Sequence, residues 1–430
     1  MGRRTAGMIA VVSALGMAAV LGGCGSTGSS DVTLRLVAAD YGDSAANSSK
    51  KYWDNLVDDY ESQHPGVKID VSVYSWNDVD RKVKDMVDAG HAPDLAQIGA
   101  YADYAAAGKL YQASELLSIR TQADFLSQLS DAGEWQHTQY GIPFAASTRV
   151  LFYNKTLFAK AGITPPTTWD ELAADAAALK DKGVKYPYAL PLGPEEAQAE
   201  TMQWLLSGTD AESGGSGYTD DVGTYHINSQ QNVNTFTWLK DDLVGKGLTG
   251  PDAPGKFNRA DAFTAFADGQ VGMLNGHPAL IQQATKKGVK FGMVPTPGRT
   301  GTSRASMGVS DWMMAFKQNG HAEQIGDFLN FVYAEKNVLA FSREYGLLPV
   351  TSSASNVMSA SDAAPDQALH PFLDQLPTSE LYPVGKTSWA AVSAAVKKGI
   401  GQAVAPGGSP STILTRLQAT ATTADSNDAS

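Results

Sequence analysis

The chain holds one cysteine in 430 residues, at position 24, and seven scattered histidines. A lone thiol closes no internal disulfide, so cysteine usage says nothing about redox compartment. No two histidines stand at metal-ligand spacing, and neither H-E-x-x-H nor an Asp-rich calcium loop occurs, which excludes the common zinc and EF-hand sites. After Arg4 there is no basic run, and the formal net charge is −12. Such a chain is a poor partner for nucleic acid or for electrostatic docking on anionic lipid. Catalytic motifs are missing too. "PVGKTS", Pro383 to Ser388, has Glu380 where a phosphate-binding loop needs its first glycine. "GVSDW", Gly308 to Trp312, carries Trp where a nucleophile elbow needs glycine. Glu195 and Glu196 are adjacent, whereas glycosidase carboxyls face each other about 5–10 Å apart across the sugar. They read instead as a helix start that complements the helix dipole.

What is present is a globular composition, 43% hydrophobic and 18% charged, behind a leader. Arg3 and Arg4 precede an apolar stretch from Met8 to Leu21, too short for the roughly 20 residues of a membrane span. "LGGC", Leu21 to Cys24, resembles the lipobox of bacterial lipoproteins. That resemblance implies cleavage before Cys24 and a diacylglycerol thioether on its sulfur. Residues 1–23 are then a lipoprotein signal peptide, and 24–30, running into "GSTGSS", a flexible tether. A protein held there acts on something that arrives from outside the cell.

The body alternates. "DVTLRLVAAD" reads as a buried strand, and "KKYWDNLVDDYESQHPG" as a helix with Trp53, Leu56, Val57 and Tyr60 on one face. "VKIDVSVYSW" is a second strand, "NDVDRKVKDMVDAG" a second helix, and "APDLAQIGA" a third apolar run. Strand, helix, strand, helix, strand predicts an α/β fold with a parallel sheet and right-handed crossovers. Ligands of such sheets sit in loops at the carboxyl ends of the strands. A second α/β stretch begins near "RVLFYNKTLFAKAGI", and Thr168 with Glu171 forms a capping box.

Aromatic residues at strand and loop ends are the remaining chemistry: Trp76, Tyr101, Trp204, Trp312, Tyr345 and Trp389. Flat rings cover the C–H faces of sugars, and Asp, Glu, Asn, Arg and His bond their hydroxyls. The order "YESQHPGVKIDV", "DMVDAGHAPDLAQI", "AAAGKLYQ", "YGIPFAASTRVLFYNKTLFAKAGITPPTTWDEL", "AFADGQVGMLNGHPAL", "FGMVPTPG", "REYGLLPV" resembles the extracellular solute-binding proteins of sugar ABC importers, which include the maltose-binding proteins.

The resemblance implies a two-lobed, periplasmic-binding-protein-like α/β fold with several hinge crossings. It implies one lobe from 31–145 and 300–318, another from 146–299 and 319–418, and a disordered tail at 419–430. It places Asp40 and Tyr41 on the first-strand loop, Trp76 after the second strand, Asp94 near the hinge, and Tyr101 where relatives often carry an acid. Arg149 falls on the first crossing and Glu195 after a second-lobe strand. His277 stands near where many relatives have Trp. Gly308, Asp311 and Trp312 share the returning strand, Arg343 and Tyr345 lie in "REYGLLPV", and Trp389 matches a stacking position of maltodextrin binders. The implied activity is capture without catalysis, with no cofactor and no metal. The implied partners are a di- or oligosaccharide and a transmembrane ABC permease, with the protein monomeric and anchored through Cys24 on the outer face of the cytoplasmic membrane. The alternatives are the same fold around another solute, such as a polyamine or peptide, or a secreted glycoside hydrolase.

Overall fold

The computed structural model describes residues 32–42, 47–208, 217–220 and 222–428. The leader, Cys24 and the tether lie outside the described residues.

Two sheets organise the chain. The first runs in the order Val67–Tyr74, Val32–Ala39, Leu95–Ile98, Val309–Ala315, Ile142–Ser147. Its first three strands are parallel, and the returning strand Val309–Ala315 is antiparallel to both of its neighbours. The second runs Phe291–Val294, Val150–Asn154, Val271–Gly276, Tyr186–Tyr188. Helices cover both faces of the first sheet. The helix Ser49–Gln63 buries Trp53, Leu56, Val57 and Tyr60, the stripe its spacing predicts. The helix Val79–Asp88 buries Val79, Val83 and Val87 on the opposite core. In the second lobe the expected capping box forms: Glu171 N–H donates to Thr168 Oγ1, and Thr168 N–H to Glu171 Oε2, each at 3.2 Å.

Three segments cross between the sheets and are bonded to one another. Ser306 Oγ accepts the Arg149 N–H at 3.0 Å and donates to the Arg149 carbonyl at 2.7 Å. The Gly308 N–H donates to the Glu380 carbonyl at 2.8 Å, and the Glu380 N–H to the Ser306 carbonyl at 3.0 Å. Gln203, on the second-lobe helix Ala197–Ser207, accepts the Met307 N–H at 2.9 Å.

Two expectations about domains are corrected. The helix Ala322–Val332 packs on Ala113–Leu116, Ser49–Gln63 and Val32–Ala39, and Glu335–Tyr345 packs on it and, through Phe341, on Tyr52, so both belong with the first sheet and not with the second lobe. Their apolar faces (Ile325, Phe328, Leu329, Val338, Phe341) complete the core under that sheet. The segment 419–428 is not disordered but ends the helix Pro410–Asp428. Leu414, Leu417 and Ala421 are buried, while Asp425 accepts from Ser388 Oγ at 2.9 Å and pairs with Lys386 at 2.9 Å. Small residues at Ala421 and its neighbours let that helix lie against Trp389–Gly399.

Candidate ligand-binding cleft

The two lobes enclose two adjoining compartments. One, about 730 Å³, has Asp80, Gly99, Tyr104 and Asp311 on the first-lobe side and Gln198, Tyr382 and Trp389 on the other. The second, about 710 Å³, lies between Tyr41, Arg343 and Tyr345 and the helix Ala279–Lys286. They flank a single hydrogen bond, Tyr41 Oη to Asp311 Oδ2 at 2.7 Å.

The first-lobe wall is built on strand ends. Val32–Ala39 delivers Tyr41, Val67–Tyr74 delivers Trp76, and Leu95–Ile98 delivers Gln97 and Gly99. Gln97 Oε1 accepts the Ala39 N–H at 3.0 Å while its Nε2 donates to Tyr41 Oη at 2.7 Å. The tyrosine proton is thereby directed at Asp311. Burial raises the Asp311 pKa to about 7, against the Tyr41 hydrogen bond and reinforced by nearby Asp80. Asp80 accepts the Gly99 N–H at 3.1 Å, and burial raises its pKa as well. The Trp76 ring stands edge-on to Tyr41 at 5.3 Å, and Tyr345 lies 5.8 Å from Tyr41 on the other side.

The second-lobe wall is aromatic above and ionic below. Trp389 opens its helix and stacks on Tyr382 at 5.0 Å and 25°, with Tyr218 5.0 Å away. Beneath, Arg149 Nη2 pairs with Glu196 Oε1 at 3.0 Å, and Arg259 Nη2 with Glu195 Oε1 at 2.9 Å. Arg259 Nε also pairs with Glu196, which closes a four-member chain. His277 lies on this chain, its Nε2 3.2 Å from Arg259 Nη1. Burial, then Arg149 and Arg259, push its pKa well below 6.5 and keep the imidazole neutral. Deeper still, Glu200 accepts from Trp204 Nε1 at 2.8 Å and Asn275 Nδ2 at 3.2 Å, and burial raises its pKa to about 7.

Of the expected site residues, the structure brings Tyr41, Asp311, Tyr345 and Trp389 to the two compartments and Trp76 edge-on against Tyr41, with Arg149, Glu195 and His277 grouped together behind the second-lobe wall. The others do different work. Tyr101 and Trp312 are fully buried, edge to face at 5.3 Å. Tyr101 Oη donates to the Ala132 and Glu134 carbonyls, and a Cβ on Gly141 would meet its ring at 2.6 Å. Both rings turn under the sheet because Gly141 leaves them room. Trp204 is core as well. Asp94 is buried and accepts from the Arg35 N–H at 2.8 Å and Asn319 Nδ2 at 3.1 Å, with His321 Nδ1 at 2.9 Å, which pins the strand's entry. Asp40 caps the helix Ser49–Gln63: burial alone would raise its pKa, but the Ser49 and Gly42 N–H groups and the Ser48 hydroxyl hold it low. Gly308 is a hinge position, where a Cβ would lie 2.8 Å from Ser379 Oγ. Arg343 forks onto Asp366 at 2.6–3.2 Å at the rim of the second compartment. Sequence reasoning missed Gln97, Asp80, Gln198 and Tyr382. Gln97 left a signal, as the one amide inside an otherwise apolar strand, "LAQI".

The profile of the bacterial extracellular solute-binding proteins matches residues 55–369. The chain belongs to that family. Among curated relatives of this solute-binding protein is a binding protein of Brucella abortus, 26% identical over 329 residues, 75% of this chain and 77% of the relative. Another is the sn-glycerol-3-phosphate-binding periplasmic protein of Escherichia coli, 28% identical over 223 residues, 49% of each chain. Solved structures with this fold include the cyclic alpha-maltosyl-1,6-maltose binding protein of Arthrobacter globiformis, with TM-score 0.76 and 21% identity over 92% of this chain and 99% of that one. The acarbose receptor of Streptomyces glaucescens gives 0.75 and 19% over 92% and 99%. Family and neighbours are binding proteins, served by ABC permeases. Among the described residues no helix is long and apolar enough to cross a membrane, and no group of three His, Cys, Asp or Glu is placed to hold a metal.

Proposed function

We propose that this solute-binding protein captures a di- or oligosaccharide between its lobes and delivers it to an ABC permease. The observation that carries the reading is the pairing of walls. Trp389 stacked on Tyr382 offers an aromatic platform, and the Tyr41–Asp311–Gln97 relay offers directed hydrogen bonding across the cleft. Rings suit the apolar faces of a sugar, and oriented carboxyl and phenol groups suit its hydroxyls. Two compartments side by side suit more than one sugar unit. Sugar bridging both walls stabilises the closed form, because only there do both lobes touch it. Solved neighbours that bind maltosyl sugars and acarbose support the choice.

The test is a thermal-shift screen of mono-, di- and oligosaccharides followed by calorimetry and product analysis. A saturable stabilisation without turnover is expected, and released products would replace capture with hydrolysis. The glycerol-phosphate relative supplies a second reading, an organic phosphate, and sn-glycerol 3-phosphate belongs in the same screen.

Cys24 is the proposed lipidation point and the tether after it the leash to the outer face of the membrane. Mass spectrometry of the mature N-terminus should show a diacylglyceryl-modified Cys24. A C24A chain is expected in the culture medium, and its retention on the membrane would remove the anchor.

A further inference from the structure

Behind the second-lobe wall, outside the linings of both compartments, lie two guanidiniums, ready-made partners for a phosphate or carboxylate, yet neither is free. Arg149 is buried and held by Glu196 at 3.0 Å. Arg259 is held by Glu195 at 2.9 Å and, through Nε, by Glu196. Glu195 is fixed in turn by the Ala260 N–H at 3.1 Å. His277, beside them, is kept neutral and supplies no charge. The chain adjoins both compartments: Tyr382 of the first feels Arg149 and Glu196, and Pro278 of the second follows His277. Across the cleft stand Asp80 and Asp311, with no cation among their hydrogen-bond partners in the described residues. Other cations of the first compartment are engaged too: Arg81 with Asp78, Lys84 with Asp88, and Lys386 with Asp425. Lys109 and Lys397 border it as separate ammonium groups.

We propose that Glu195 and Glu196 determine the ligand class by closing Arg149 and Arg259 to anions, so that the cleft takes uncharged saccharides and refuses phosphorylated or carboxylated ones. This rests on the saccharide reading and narrows it. A buried phosphate needs positive charge that is not already neutralised, and here each guanidinium is paired with a carboxylate. It would also face Asp80 and Asp311, whose charged forms burial already disfavours, and an added anion would raise that cost further. A sugar hydroxyl has neither problem. It can donate to a carboxylate and accept from an N–H without adding charge.

The purified protein is titrated by calorimetry with sn-glycerol 3-phosphate and trehalose 6-phosphate, beside trehalose, maltose and cellobiose. The wild type is expected to bind neither phosphate at up to about 10 mM. The E195Q/E196Q variant keeps the side-chain shapes but frees two positive charges, and should gain at least about tenfold in affinity for the phosphates, about 1.4 kcal/mol. E196Q alone, which leaves the Arg259–Glu195 pair, repeats half of the test if the double variant folds poorly. Phosphate binding by the wild type, or no gain in a folded variant, overturns the proposal. If the wild type binds phosphates and sugars alike, the saccharide reading survives without it. If it binds phosphates and no sugar, both fall.

Discussion

The two walls of the cleft solve the problem of buried polarity in opposite ways. On the first-lobe wall burial of a carboxyl, Asp311, reinforced by its acidic neighbour Asp80, outweighs the tyrosine hydroxyl that favours its charged form, and its pKa rises to about 7. On the second-lobe wall, Arg149, Arg259, Glu195 and Glu196 cancel one another within hydrogen-bonding distance. The first wall keeps unspent hydrogen-bonding capacity, while the second keeps its charges occupied and offers Trp389 and Tyr382 instead. Specificity in a two-lobed binder thus depends on which groups are left unpaired more than on which are present.

The sharpest break of that comparison separates a cleft ring from a core ring. Trp312→Ala should cost about 3–5 kcal/mol of stability, read from urea unfolding, because it empties a packed site beside Tyr101. An unchanged midpoint would return Trp312 to the cleft. Trp389→Ala should instead cost about 1–2 kcal/mol in affinity for the best sugar of the screen, while thermal stability shifts by only a few degrees. Equal affinity would mean that the aromatic wall does not touch ligand.

The ionisable wall predicts a pH effect of intermediate size. Asp311 has a folded pKa of about 7, above the ordinary carboxyl value of 3.8, so the folded state holds more protons between those values. Its contribution is therefore full below about pH 4 and is lost as pH rises to about 7. Wild type should lose about 1–3 kcal/mol over that window relative to Asp311→Asn, followed by denaturant titration at each pH. Parallel curves would show that Asp311 is solvated. The smallest effect belongs to the rim: Arg343→Ala should change sugar affinity by less than about 0.5 kcal/mol, because its fork is spent on Asp366. A larger loss measured by calorimetry would bring Arg343 into the site.

The sequence by itself determined the layout. Periodicity at Trp53, Leu56, Val57 and Tyr60, the alternation from Val67, and the Thr168–Glu171 box are local signals, because helix and strand periods and capping bonds involve neighbours in the chain. The order of those elements was enough for an α/β fold with a parallel sheet, and the resemblance to the solute-binding proteins supplied the two lobes. Only the tertiary structure decided which way each strand-end side chain turned. Tyr101 and Trp312 follow the same sequence rule as Trp76, yet they are core, because Gly141, some forty residues beyond Tyr101, leaves a space their rings fill. Arg149 and Glu196 pair across 47 positions, and Tyr41 and Asp311 across 270. Contacts at such separations are set by how the two sheets and their three crossings close on each other, and no local pattern encodes that distance.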